Sequence, residues 1–466
     1  MIFSFCFLHR SLLRGLAWIG IAVLTQFSAL AAVPPNIVFI LADDQAWNGT
    51  SVPMIHGDAS SASREFHTPN VEKLAAQGMT FSQAYAAHCK CECSRAAIQM
   101  GRTTTTLNAP DKTSRNWSAP VTDSLVNTLK KANSNYRAAH FGKWQWFHPP
   151  ESMGYDASDG ITMNEEGDST DPEDPKLSFS ITRRATAFMA DQVASGHPFF
   201  LQMSYYAVHP QPQALASTVK KYEGRTPSKG GKGDRAVMAA MTEDLDTCVG
   251  ELLRKLDELR IADNTIVIYT SDNGGRTGIL NGGKGDLGEG GLRVPLIVRG
   301  PGIAPGSYCD VPIISYDLMA TVLDFAAPSE GLPQGVEGGS WRVLLANGGK
   351  GEVRRPIDRF VWHQATEVEH PQSAIRKGDY KLLYFWDTKD GLLFDLKNDL
   401  GETRDGAKSH PDIAAKLEAE LKDHIRAGLG EQAFAALERG EFRQGRGSGK
   451  GKPKGKGKAK RLIDAA

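Results

Sequence analysis

From Ile37 to Ala42 the chain runs through six apolar residues without alternation, and the same texture returns at 199–203, broken by Gln202, and at 265–270. A strand with apolar residues on both of its faces must be covered on both, which is the condition of a parallel strand inside a layered α/β sheet. Between these runs lie helical patterns. One spans 68–78, with Pro69 at its start and Gly78 at its stop. Others cover 236–259 and 317–324. The expected fold class is α/β, a large mixed, mostly parallel β-sheet sandwiched by helices. Past residue 352 the texture changes to short strands near 359–363, 373–376, 380–385 and 392–395, then an amphipathic helix near 412–427. That order predicts a small C-terminal antiparallel sheet.

The residues at the ends of these apolar runs carry the chemistry. The first run ends in Asp43-Asp44, and the run at 265–270 ends in Ser271-Asp272-Asn273. Open α/β sheets bind ligands at the carboxyl ends of their strands, and adjacent carboxylates leaving a central strand are costly without a cation between them. For a single Asp, a helix cap or loop acid would be the plainer reading. Asp43, Asp44, Asp272 and Asn273 form an all-oxygen set that suits Ca2+ or Mg2+ and disfavours zinc.

The stretch Cys89-Lys90-Cys91-Glu92-Cys93-Ser94-Arg95 precedes the helical pattern opened by Ala96-Ala97-Ile98. With Cys91 in the first turn, Cys91 and Arg95 share a face, and the free N–H groups of that turn favour an anion there. Alternating cysteines could instead line a strand or chelate a soft metal, but zinc ligands are usually spaced two to four apart.

These residues resemble the type I sulfatase signature, Cys-x-Pro/Ala-x-Arg with a Thr-Gly-Arg-like end, here Met100-Gly101-Arg102. Further segments resemble the same family in the same order: 68–78, Gly142-Lys143-Trp144, Gly154-Tyr155-Asp156, the run 197–210 ending at His209, Gly282-Gly283-Lys284-Gly285, 289–295, 317–324 and a C-terminal stretch reaching Glu402. The resemblance implies an alkaline phosphatase-like fold and hydrolysis of sulfate esters, aryl or carbohydrate. It further implies a formylglycine nucleophile made from Cys91 by a formylglycine-generating enzyme, and a bound Ca2+. On this resemblance Arg95, Lys143, His209 and Lys284 neutralise the sulfate, His209 or a lysine protonates the leaving oxygen, and Arg293 is structural. Two positions depart from the pattern. Cys93 stands where the family has Pro or Ala, and Gln145 replaces a histidine. Two other readings accompany the first: an inactive relative that binds sulfated ligands, and a phosphoryl hydrolase using unmodified Cys91.

Charge and targeting complete the expectations. Arg10 and Arg14 precede the apolar run 16–24, and Ala29-Leu30-Ala31 is a small-x-small cleavage pattern. This reads as a signal peptide over 1–32, with export to the periplasm or outside, an uncleaved anchor being the alternative. No other segment is a membrane-span candidate. The 54 basic and 54 acidic residues are unevenly placed, because 443–466 carries nine Lys/Arg against Asp464. The body is therefore acidic, which excludes a nucleic-acid-binding domain. The tail is too polar to fold and would attract polyanions, or serve only to solubilise. The expected organisation is a catalytic domain over 33–352, a C-terminal subdomain over 353–442, and the tail. The acid-rich segment 159–176 reads as a solvated excursion that would discourage polyanionic substrates if it bordered the pocket, and specificity is expected in loops 103–120 and 157–177.

Overall fold

Eight strands form the central sheet, in the order Ala157–Ser158, Arg137–Gly142, Phe199–Ser204, Asn36–Ala42, Thr265–Ser271, Leu296–Arg299, Met79–Phe81 and Ser307–Cys309. Neighbours are parallel except at Leu296–Arg299, which runs antiparallel to both strands beside it. The computed structural model describes residues 34–107, 119–224, 235–276, 278–328, 331–365 and 370–442. The expected signal peptide, the basic tail, most of the 103–120 loop and all of 225–234 lie outside the described residues.

The unbroken apolar run explains why Asn36–Ala42 sits at the centre. Ile37, Phe39 and Leu41 enter the core on one side of the sheet, while Val38, Ile40 and Ala42 enter the core on the other. A period-two backbone thus feeds two cores at once, and truncating Phe39 to alanine would cost about 3–5 kcal/mol. The first core takes Ile98 of the helix Cys91–Met100, Leu125 and Leu129 of Leu125–Ala132, and Met319 and Val322 of Asp317–Ala326. The second takes Ile181 of Ser178–Ala194, Leu245 and Leu252 of Arg235–Glu258, and Val71 of Pro69–Ala76.

The C-terminal antiparallel sheet is the meander Phe360–Gln364, Gln372–Lys377, Tyr380–Phe385 and Asp390–Asp395. Its Trp362, Ala374 and Leu383 join the first core of the central sheet. Its opposite face, with Val361, Ile375 and Leu382, packs on Leu417, Leu421 and Ile425 of the helix Pro411–Leu429. A second helix, Glu431–Glu438, comes next and adds Phe434 to that layer. The amphipathic pattern predicts a single helix here. Gly430, at φ 83°, breaks the two apart.

A buried ionic cluster ties the small sheet to the large one. Lys381 Nζ lies 3.0 Å from Glu289 and 2.8 Å from Glu402, all three without solvent exposure on their side chains. Arg293 completes it through Glu289 at 2.8 Å and the Tyr85 hydroxyl at 2.8 Å, which makes Arg293 structural as expected. Among the described residues no helix is long and apolar enough to cross a membrane.

A candidate active site at the carboxyl ends of the central strands

Asp43 and Asp44 leave the end of Asn36–Ala42, and Asp272 and Asn273 leave the adjacent end of Thr265–Ser271. Parallel pairing in register puts these two tips side by side. The Asp44 backbone N–H donates to Asp272 Oδ1 at 3.1 Å, and Asp44 takes the left-handed φ of 58° to do so. Gly274 allows the next segment to close in, since a Cβ there would stand 1.9 Å from the Gly290 carbonyl oxygen.

Cys91 is the first residue of the helix Cys91–Met100, whose left-handed stop is Gly101 at φ 62°. The helix therefore excludes the strand reading of the alternating cysteines. Cys91 Sγ lies 3.4 Å from Asp43 Oδ1 and 3.6 Å from Asp44 Oδ1. The candidate ligand atoms of Asp43, Asp44, Cys91 and Asp272 all lie within 4.8 Å of one another. Burial, with Asp272, Asp43 and Asp44 beside it, pushes the Cys91 thiol well above its ordinary pKa.

Three cations face these acids. Arg95, one turn after Cys91, donates from Nε to Asp272 Oδ2 at 2.9 Å and from Nη1 to the Lys143 carbonyl at 2.5 Å. Lys143 Nζ meets Asp43 Oδ2 at 2.5 Å, and Lys284 Nζ meets Asp44 at 2.7 Å. Burial lowers the Lys143 pKa, but Asp43 and its neighbours outweigh it and raise it above the ordinary lysine value. Asp43 answers in the opposite sense, because burial raises it and Lys143, with Arg95 and His209, brings it below its usual value. His209, five residues past Phe199–Ser204, stands close enough to Asp43, Lys143 and Lys284 to respond to each. Burial, reinforced by the two lysines, lowers its pKa.

The loop bearing Lys143 is fixed by Gly142, from the family-like segment itself, and by Thr162, which the sequence did not single out. Gly142, at φ 96°, lets the chain pass where a Cβ would be 2.1 Å from the Ser204 carbonyl oxygen. Thr162 Oγ1 donates to the Gly142 carbonyl at 2.7 Å and accepts from Trp144 N at 2.9 Å. The acid-rich segment is thus no simple solvated excursion. Thr162, Asp174 and Lys176 are buried, and the segment braces one rim of the site. The helix Cys91–Met100 is braced likewise, with Gln99 donating to Gln202 Oε1 at 2.8 Å and Tyr155 donating to the same atom at 2.8 Å. These are ordinary residue types at ordinary spacings, so only the packed structure identifies them.

Other residues are placed elsewhere. Gln145 is buried at φ 56° with its backbone N–H held by Thr162 O at 2.8 Å. His88 is turned away from the reaction centre and bonds the His363 carbonyl of the C-terminal sheet at 3.0 Å. Cys89, Cys248 and Cys309 are buried thiols, and Cys93 is a partly buried one.

The donor set fits a hard divalent cation. Three carboxylates converge, and Asn273 Oδ1 is buried without a hydrogen-bond partner while its Nδ2 donates to Asp44 at 2.8 Å. Anionic and cationic groups gathered around a helix N-terminus, at the carboxyl edge of a parallel sheet, define a hydrolase acting on an anionic ester. Comparison with known proteins agrees. The Sulfatase family model matches residues 35–328, and the model for the C-terminal part of N-sulphoglucosamine sulphohydrolase matches 284–427. The N-acetylgalactosamine-6-sulfatase of Mus musculus is 30% identical over 82% of this chain and 77% of its own. A sulfatase of Formosa agariphila is 26% identical over 83% of this chain and 88% of its own. The crystal structure of Ps i-CgsB in complex with k-i-k-neocarrahexaose shares the fold, with a TM-score of 0.72 at 24% identity over 88% of this chain and 98% of that one. The chain belongs to the sulfatase family and is a sulfuric ester hydrolase.

Proposed function

We propose that this enzyme is an exported carbohydrate sulfatase that works through a formylglycine made from Cys91 and a Ca2+ held by Asp43, Asp44, Asp272 and Asn273. The observation that carries the reading is Cys91 itself. It opens a helix 3.4 Å from Asp43 Oδ1, inside a ring of three cations and three carboxylates. The relatives named N-acetylgalactosamine-6-sulfatase support a sugar sulfate as substrate. The targeting pattern of residues 1–32 supports export, with modification by a formylglycine-generating enzyme on the way.

The hydrate of a formylglycine supplies one hydroxyl to attack sulfur and a second that allows the sulfate to be released again, a step that a serine lacks. The three carboxylates and three cations cancel, so a bound divalent ion supplies the positive surplus that a sulfate ester and an ionising hydroxyl require. The chain's own groups do the rest. Arg95 and Lys143 are locked by buried ion pairs before substrate arrives and need no reorganisation to meet the sulfate oxygens. Lys284, tethered to Asp44 at the pocket edge, closes the charge ring from the other side. His209 is partly exposed and lies near Asp43, Lys143 and Lys284, and we assign it the proton for the departing sugar oxygen.

Expression beside a formylglycine-generating enzyme, followed by parallel assays on an aryl sulfate and an aryl phosphate, tests the reading. Sulfate should be the preferred ester, and Cys91→Ser should abolish turnover while retaining the fold. Equal activity in Cys91→Ser, or preference for phosphate, would contradict it.

A further inference from the structure

Lys284 sits on a loop that the C-terminal sheet reaches. Residues 281–291 fold back on themselves, with Gly290 N donating to the Asn281 carbonyl at 2.7 Å and Gly291 N to the Gly288 carbonyl at 3.0 Å. Gly285 N donates to the Cys89 carbonyl at 3.0 Å, and Gly274 N, next to Asn273, donates to the Gly291 carbonyl at 3.0 Å. The loop therefore touches both the segment that leads into Cys91 and the strand tip that ends in Asn273. What closes it comes from far along the chain. Glu402 Oε2 accepts the Glu289 backbone N–H at 2.8 Å, while Glu402 Oε1 pairs with Lys381 Nζ at 2.8 Å. One carboxylate thus joins the C-terminal sheet to the loop, with one oxygen on each.

Glu402 is held for this contact. It is buried with a left-handed φ of 53°, a conformation that a residue with a side chain keeps only where its surroundings enforce it. Asp399 enforces it here. Its carboxylate accepts from Thr403 N at 3.1 Å and Arg404 N at 2.8 Å, and its carbonyl accepts from Glu402 N at 3.1 Å. The loop is tight at the same point, since a Cβ on Gly288 would lie 2.6 Å from the Asn281 carbonyl oxygen and 3.1 Å from Glu402 Oε2. We infer that Glu402 is a positioning residue for the hydrolysis, acting through the Glu289 N–H to fix the loop that sets Lys284 against Asp44. The C-terminal sheet then governs turnover through a backbone contact. This rests on Lys284 meeting the sulfate, as proposed above.

Hydrogen exchange and kinetics on the full-length protein test it together. Glu402→Ala should speed amide exchange across 281–291 by about tenfold or more and leave 36–42 unchanged. Gly288→Ala crowds the same closure while keeping every charge, so it carries the test should Glu402→Ala not fold, and it should speed exchange likewise. Leu421→Ala opens a cavity in the layer behind the C-terminal sheet and controls for lost stability alone. Its exchange across 281–291 should match the parent protein. On an aryl sulfate, Glu402→Ala should lower kcat/KM by about tenfold or more, divided between KM and kcat as in Lys284→Ala, and the double variant should be no slower than Lys284→Ala alone. Unchanged exchange in both loop variants, an equal rise in Leu421→Ala, or losses that multiply in the double variant would overturn the inference. Full turnover in Lys284→Ala would strike at its proposed role at the sulfate, and the exchange comparison would still judge the clamp.

Discussion

Lys143 Nζ and Asp43 Oδ2 meet at 2.5 Å with neither side chain exposed to solvent. Removing one partner of a buried pair strands the other charge, at a cost of about 3–5 kcal/mol. Lys143→Met is therefore expected to be strongly destabilised in urea titrations run with a chelator. A divalent ion on Asp43 should recover much of that loss, so the deficit should shrink in millimolar Ca2+. A deficit indifferent to Ca2+ would argue against Asp43 as a ligand.

Chelation should abolish sulfate hydrolysis, and Ca2+ should restore it. Asp44→Asn removes one ligand charge and should raise the Ca2+ concentration for half-maximal activity by about tenfold or more. Each acid also holds a cation, but Asp272→Asn is the poorer probe, since it strands the buried Arg95, held at 2.8 Å, whereas the Lys284 paired with Asp44 at 2.7 Å is partly exposed. Full activity after exhaustive chelation would count against the metal.

If His209 protonates the leaving oxygen, its loss should matter most for a poor leaving group. His209→Gln is expected to lower kcat on a sugar sulfate by about 10²–10⁴-fold and to affect 4-nitrophenyl sulfate much less. Equal losses on both esters would reassign His209 to sulfate binding alone.

Acid should loosen the helix that carries Cys91. Burial lowers the His88 pKa to about 4 from its ordinary 6.5, and its Nδ1 accepts the Lys90 backbone N–H at 3.2 Å. The folded state thus binds this proton less readily than the unfolded chain. The contribution is intact above pH 6.5 and erodes as pH falls toward 4, by about 3 kcal/mol in all. Denaturation free energies measured from pH 7 to 4 should fall less steeply in His88→Gln than in the parent protein. Parallel slopes would show that His88 does not titrate with unfolding.

Much of this architecture was legible because burial on two faces leaves a plain signature. The run Ile37 to Ala42 announced a central strand, and the oxygen-rich residues at two strand ends announced where chemistry would gather. Asp43, Asp44, Cys91, Arg95, Lys143, His209, Asp272, Asn273 and Lys284 lie together at the strand ends, and the roles given to them are the proposal made above. Thr162 and Gln99 escaped notice, and Tyr155 and Gln202 were named without their bracing role, because a brace is defined by what it touches across 20 to 103 residues of chain, and residue type alone carries no trace of that. The 159–176 segment misled for a related reason. Most of its acids are exposed, but Asp174, with Thr162 and Lys176, turns inward among them. The helix Glu431–Glu438 was hidden by Gly430, which reads equally well as an end or a hinge.

The most direct test of the central claim is mass spectrometry of the peptide containing residue 91, from protein made in a host with a formylglycine-generating enzyme. The account predicts an aldehyde at position 91, with Cys89 and Cys93 retained as thiols. An intact Cys91 in fully active protein would contradict it.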